Sequence, residues 1–283
     1  MIFDFFTYDF MLYALAASLL GSITAGIIGT YVVTRRMVFI TGGITHASFG
    51  GLGLGFFFGI NPLIGAAVFG LISGIGVEYL SRFRKIREDS VIAMMWSFGM
   101  ALGIIFISLS PGYAPNLMSY LFGNILSVSI TDIWIMGTLM LLVLALFVPF
   151  FRLIQYLTFD EDFARTSRVP VSLFKYLLAG LVALTAVVYI RVAGIILVLS
   201  LLTIPQNTAL LFSNNLKKIM WLSIGIGFTG SLLGLVISYV GNIPSGASII
   251  FSLVILYLAG SLGVAVFRTR KNPHKHNQIP EPD

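Results

Sequence analysis

The chain offers water very little to hold on to. Nine apolar runs, at about 10–34, 44–59, 62–80, 91–110, 131–150, 173–190, 194–212, 218–240 and 247–267, follow one another with short polar joints between them. About 20 such residues cross a hydrocarbon layer ~30 Å thick as a helix. The fold expected is an all-α integral membrane protein, a polytopic bundle of about nine transmembrane helices (eight to nine). Composition agrees: 58% of residues are hydrophobic and 10% charged, where a soluble domain carries roughly a quarter charged.

The basic residues orient the bundle. Arg35 and Arg36 follow the first run; Arg82, Arg84, Lys85 and Arg87 follow the third. Arg152, Arg165, Arg168 and Lys175 surround the joint after the fifth. Lys217 and Lys218 precede the eighth, and Arg268, Arg270, Lys271 and Lys275 lie beyond the ninth. With alternating crossings, all of the 17 Lys and Arg except Arg191 fall on one face. The positive-inside rule makes that face cytoplasmic, with the N-terminus outside and the C-terminus inside, in the cell (inner or plasma) membrane. The +6 net charge therefore reflects topology rather than nucleic-acid binding. Residues 1–9 contain no Lys or Arg, so no cleaved signal peptide is expected and the first run stays as a span. Arg191, in a short hairpin from Tyr189 to Gly194, is expected to snorkel outward or to pair with an acid such as Asp132.

The longest internal polar stretch is 157–172, LTFDEDFARTSRVPVS. Thr158 could cap a short helix, with Asp160, Glu161 and Asp162 in a first turn where the macrodipole favours negative charge. Phe159, Phe163 and Thr166 would then share a face, and Pro170 would end the element. Such a helix needs a partner for its aromatic side; the alternative is a solvated loop. Asn116 to Ser129 is too short to span and is expected as a re-entrant or interfacial helix. The second run, only 16 residues if it begins at 44, is short for a span. Residues 1–267 form the transmembrane domain, and 268–283 a polar cytoplasmic tail expected to be disordered. His274 and His276 lie in that solvated tail. The pairs Gly51/Gly55, Gly70/Gly74 and Gly230/Gly234 mark close helix approaches.

Few residues can carry chemistry. His46 is the one His within the runs, set in TGGITHASFGG. An imidazole suits borderline divalent metals, and Thr45, Ser48 and nearby backbone could add oxygens. The other reading of His46 is an interhelical hydrogen-bond donor. Glu78 is expected to pair with the Arg cluster beside it. Asn124, Asp132, Asn207 and Asn242 are read as caps or helix–helix hydrogen bonds. The chain has no Cys, no clustered carboxylates, no Ser/His/Asp set and no Walker-type phosphate loop. An enzyme is not expected, and any ATP must be hydrolysed by another chain.

Several anchors, in order, resemble one family: the membrane permeases of bacterial ABC importers for zinc, manganese and iron ions. They are Arg35 to Phe39 with Thr45-His46-Ala47, Arg87 to Ser90, Tyr120 to Val128, Phe159 to Ala164, Arg191 to Gly194 with Thr203 to Pro205, and Ile243 to Gly246. The resemblance implies a permease subunit without its own ATPase site, needing no cofactor, with the divalent metal as cargo. It implies that Phe159, Asp160, Glu161, Phe163 and Ala164 form a cytoplasmic coupling helix that docks on the ATP-binding subunit. Its translocation path would run past His46, Thr45, Ser48 and Asn124. Its partners would be that ATPase, an extracytoplasmic metal-binding protein, a second permease copy (a homodimer by default) and membrane lipids. The sequence departs from the family at Gly43 and Asn124, where relatives often carry Asp, and at Gly50, where they often carry Pro. Two carboxylates that would attract a dication are thus absent.

Two other classes compete. A permease for an iron chelate or cobalamin-like ligand would share the architecture around a wider cavity. A gradient-driven secondary transporter would show inverted repeats and more buried carboxylates, and the sequence shows neither.

Overall fold

The computed structural model describes residues 9–84, 86–110, 123–159 and 170–271. Regular structure among them is entirely helical: α1 (Asp9–Thr34), α2 (Val38–Phe57), α3 (Pro62–Arg84), α4 (Glu88–Leu109), a 3₁₀ turn (Ile125–Ser127), α5 (Ile130–Phe147), α6 (Phe151–Phe159), α7 (Val171–Leu201), α8 (Ile204–Leu210), α9 (Leu216–Gly241) and α10 (Ser245–Lys271). Among the described residues, six stretches are long and apolar enough to cross a membrane, and Pro62–Val77 is a shorter apolar helix.

The second apolar run is longer than its sequence suggests. α2 starts at Val38 rather than 44 and has 20 residues, about 30 Å at 1.5 Å per residue. Its early start follows from the corner before it. Met37 N–H donates to Val32 O at 2.8 Å and Arg36 N–H to Val33 O at 3.0 Å, the paired bonds of a Schellman motif. Arg36 takes the left-handed position there at φ 59°. The chain turns in three residues and is helical again at once, so Thr41, Gly42 and Gly43 lie inside the helix rather than in a joint.

α2 is held between α3 and α4 on two stripes of small residues. Toward α4 lie Gly43, Ala47, Gly50 and Gly53, facing Ile92, Gly99 and Gly103; toward α3 lie Ser48, Gly51 and Gly55, facing Gly70, Gly65 and Pro62. A Cβ at Gly50 would stand 2.9 Å from Gly99 O, and one at Gly99 only 2.5 Å from Ala47 Cα. Lipid offers no hydrophobic drive between helices, so this backbone-to-backbone approach supplies the dispersion contact that binds them. The expected Gly51/Gly55, Gly70/Gly74 and Gly230/Gly234 pairs all sit at helix contacts, the last against Leu253 and Ile249 of α10.

α7 breaks at Gly194, where φ is 73° and ψ 163°. Before the break the chain climbs along α2. Ala179 and Val182 stand with Met37, Ile40 and Ile44, and Ile190 packs with Phe49 and Leu52. After it, Leu199 is back beside Gly42 and Asn207 shares a groove with Val33 and Arg36. The chain therefore reverses at Gly194, as the short Tyr189–Gly194 hairpin expected. Arg191 Nε pairs with Asp132 Oδ1 at 3.0 Å beside it. Asp132 also closes a capping box with Ser129 at the start of α5, so this carboxylate is fully engaged.

Thr158 does not cap a helix. It lies near the end of α6, and its hydroxyl donates to Ile154 O one turn back at 2.6 Å. The helix begins at Phe151, directly after α5, so 158 lies inside an element instead of starting one. Asp160 to Thr166, and with them Asp160, Glu161, Phe163 and Ala164 of the expected coupling segment, lie outside the described residues; Phe159 is described and exposed. Of the expected re-entrant segment, 111–122 lie outside and the described part is the single turn Ile125–Ser127. The Glu78 side chain, its neighbouring Arg82 and Arg84 side chains, and the tail from 272 also lie outside. α10 runs on through Lys271, past the tail boundary expected at 268.

Candidate functional site

His46 projects from the middle of α2 onto α4. Its ring stacks on Trp96 with centroids 4.0 Å apart and planes 9° from parallel. Trp96 belongs to the α4 face that continues through Ile92, Gly99 and Gly103, so the glycine packing that brings the backbones together also sets the stack. Nδ1 of His46 is buried and has no hydrogen-bond partner. A buried polar atom left unpaired costs about 1–3 kcal/mol, and such atoms in a native fold call for a ligand or a function.

One turn before His46 on the same face, Gly42 opens onto a groove of about 480 Å³. Arg36, Phe39, Trp96, Leu199 and Asn207 line it, with Val33 and Val38. The groove starts at the α1–α2 corner and reaches Trp96, whose other contact is the His46 ring. Its polar groups are few. Asn207 Nδ2 donates to Thr203 O at 2.8 Å, and Arg36 sits exposed at the corner end.

The other expected path residues are placed differently. Thr45 and Ser48 are fully buried. Their hydroxyls donate to Thr41 O at 2.6 Å and Ile44 O at 2.8 Å, within α2 itself. Ser48 faces Gly70 of α3, away from the Trp96 side. Asn124 caps the 3₁₀ turn, accepting from Leu126 N–H at 3.1 Å, and Ser245 Oγ approaches the same oxygen at 3.5 Å. The structure thus joins Thr45, His46 and Ser48 on one helix, on different faces, and puts Asn124 at the junction with α10. Among the described residues no three His, Asp or Glu side chains gather as a metal cluster.

The departures at Gly43 and Gly50 have a steric reason. A Cβ at Gly43 would run into the Ile92 side chain, and one at Gly50 into the Gly99 backbone. In this packing α4 occupies the space that a carboxylate at 43 would need.

Two residues that matter here were not singled out by the sequence. Trp96 reads as one more aromatic in an apolar run, and no local pattern marks the one that meets His46. Gln206 is fully buried, and its Nε2 donates to Ala25 O at 2.7 Å and Leu201 O at 3.1 Å. It ties the α7–α8 break to α1 and so holds the groove's wall. An amide directly after Thr203-Ile-Pro205, inside an apolar run, was the available signal.

The comparisons with known proteins agree over most of the chain. The sequence profile of the ABC 3 transport family matches residues 7–263. The manganese import system permease protein ScaB of Streptococcus gordonii is 35% identical over 254 residues, covering 89% of this chain and 90% of that protein. An uncharacterized membrane protein of Synechocystis sp. is 39% identical over 251 residues, 89% of each chain. The solved structure of PsaBC from Streptococcus pneumoniae in complex with Fab matches with a TM-score of 0.83 at 34% identity, over 92% of this chain and 95% of that one. The chain is a member of the ABC 3 transport family.

Proposed function

We propose that this chain is the permease subunit of an ATP-binding-cassette importer that moves a divalent metal ion across the cytoplasmic membrane. Manganese is the first candidate and zinc and iron the next. The observation that carries the reading is the extent of the likeness to a manganese import permease, which covers 89% of this chain and 90% of that one rather than a single motif. Nine crossings, with the N-terminus outside and the basic face cytoplasmic, fit the charge distribution; α2 supplies the second and the arms of α7 either side of Gly194 supply the sixth and seventh. Residues 1–267 form one permease domain, and 268–283 its cytoplasmic tail.

His46 is the residue of this path. Its imidazole suits Mn²⁺, Fe²⁺ and Zn²⁺, and its buried Nδ1 has no protein partner to compete with an ion. Thr45 and Ser48 brace α2 from within, and Asn124 stands toward the far-side entrance. One imidazole per chain makes a weak site, which a carrier that must release its ion requires. A second permease copy, the same chain in a homodimer, would complete the path.

Phe159, Asp160, Glu161, Phe163 and Ala164 form the segment that docks on the ATP-binding subunit, and an extracytoplasmic metal-binding protein delivers the ion. The test is co-expression with a candidate ATP-binding subunit, followed by ATP hydrolysis measured with and without the metal-loaded delivery protein. A stable complex with hydrolysis stimulated by the loaded protein is expected. A chain that never retains the ATPase, or hydrolysis indifferent to loaded Mn²⁺, Zn²⁺ and Fe²⁺ protein alike, would contradict the reading.

A further inference from the structure

We propose that Arg35 is a positioning residue that carries movement of the coupling segment into α2, and so to His46. The inference rests on the importer reading above. Arg35 Nη1 donates to Leu157 O at 2.8 Å, across 122 positions of sequence. Leu157 is a buried residue of α6, two positions before the last described residue of that helix. It opens the 157–172 stretch that holds the expected coupling residues, of which Phe159 is the last described residue of α6.

The packing around this bond makes it a link rather than a surface contact. Ile154 and Leu157 of α6 are buried in one core with Tyr31 and Val32 of α1, and Met37 and Val38 pack against that core. Arg35 itself stands at the Schellman corner, whose bonds from Arg35, Arg36 and Met37 N–H fix the start of α2 to the last turn of α1. From Val38, α2 runs unbroken to His46, about 12 Å along its axis. A shift of α6 at Leu157 therefore reaches the base of the His46 helix through the Arg35 guanidinium and one rigid corner. Apolar contacts in the same core can slide; a hydrogen bond to a fixed carbonyl transmits direction.

The native chain contains no Cys, which permits a local reporter. Gly42 has room for a side chain, its nearest neighbours being Leu199 and Trp96 at 3.7 Å from an added Cβ, and it opens on the groove. Gly42→Cys, reconstituted with the ATP-binding subunit, is labelled with a thiol reagent with and without ATP and vanadate, alongside hydrolysis and Mn²⁺ uptake. Arg35→Met keeps the aliphatic stem and removes the donors; Arg35→Lys restores one. In Arg35→Met we expect ATP hydrolysis within about twofold of the parent, uptake lowered at least about tenfold, and the ATP-dependent change in Cys labelling lost. Arg35→Lys should recover about half of that change.

Uptake per ATP in Arg35→Met equal to that of the parent would overturn the proposal. So would an Arg35→Met chain that fails to assemble, since the bond would then be a folding contact. A Lys variant as uncoupled as Met would also overturn it, because a donor at the carbonyl would not be what matters. Failure of the importer reading itself has a different signature: the parent complex would show no ATP-driven uptake at all.

Discussion

At the scale of single residues, the site depends on how closely two backbones can approach. His46 meets Trp96 because Gly50, Gly53, Gly99 and Gly103 let α2 and α4 touch without side chains between them. Adding one methyl group at Gly99 would place it 2.5 Å from Ala47 Cα, with backbone on the other side that cannot yield. Overpacking of this kind costs about 1–3 kcal/mol. We expect Gly99→Ala to lower the apparent melting temperature in detergent and to weaken the His46–Trp96 stack, seen as a change in Trp fluorescence. Gly137→Ala, in α5 with nothing within 4 Å of the added group, is the matched control and should leave both unchanged. Equal melting of the two variants would show that the α2–α4 contact is not tight. The same crowding puts the Ile92 side chain of α4 where a Cβ at Gly43 would stand.

At the scale of elements, two turns shape the groove, and they use backbone conformations of opposite economy. Gly194 stands at φ 73° and ψ 163°, a region open essentially to glycine alone, where another residue costs of order 1–3 kcal/mol. Gly194→Ala should destabilise the hairpin by about that much and reduce the yield of folded protein, without touching the α1–α2 corner. Arg36 is the reverse case, a side chain in the left-handed position where a Schellman turn usually takes glycine. Arg36→Gly removes the steric penalty of that position, roughly 1 kcal/mol, so thermal stability should rise or hold. A fall in stability would mean that the guanidinium contributes more to the corner than its backbone costs. Gln206 secures the third break, between α7 and α8, with two bonds to buried carbonyls. Replacing it by Leu would leave those groups to their helices and free the groove's wall to shift.

For the whole molecule, most of the architecture was legible because a membrane simplifies the problem. Long apolar runs have to satisfy their backbone polar groups internally, and regular structure among the described residues is all helical. The boundaries were less legible where polarity and helicity part company. Thr41 to Gly43 look like a joint but lie inside α2, since glycine packing against α4 compensates for poor helix propensity. Thr158 looks like a cap, yet the helix before it had already begun at Phe151. The Arg191–Asp132 pair was foreseeable from charge in an otherwise uncharged region, and so was the hairpin beside it. The Arg35–Leu157 bond was not, because a side chain reaching a backbone carbonyl 122 positions away leaves no sequence pattern. His46 was visible for its rarity, while Trp96, the residue that orients it, was hidden among the other aromatics.

As the proposed importer, the chain must let ATP drive a metal ion past His46. Proteoliposomes containing the chain, its ATP-binding subunit and the extracytoplasmic protein would be loaded with Mn²⁺, Zn²⁺ or Fe²⁺ outside. Uptake would be followed with and without ATP, wild type beside His46→Ala. The expected result is ATP-dependent uptake of one of these ions, Mn²⁺ first, reduced at least about tenfold in the variant, as loss of a single ligand or its outer-shell support typically costs 10–100-fold. ATP-dependent uptake that survives the substitution unchanged would take His46 off the path, and uptake of none of the three ions in the wild type would contradict the importer itself.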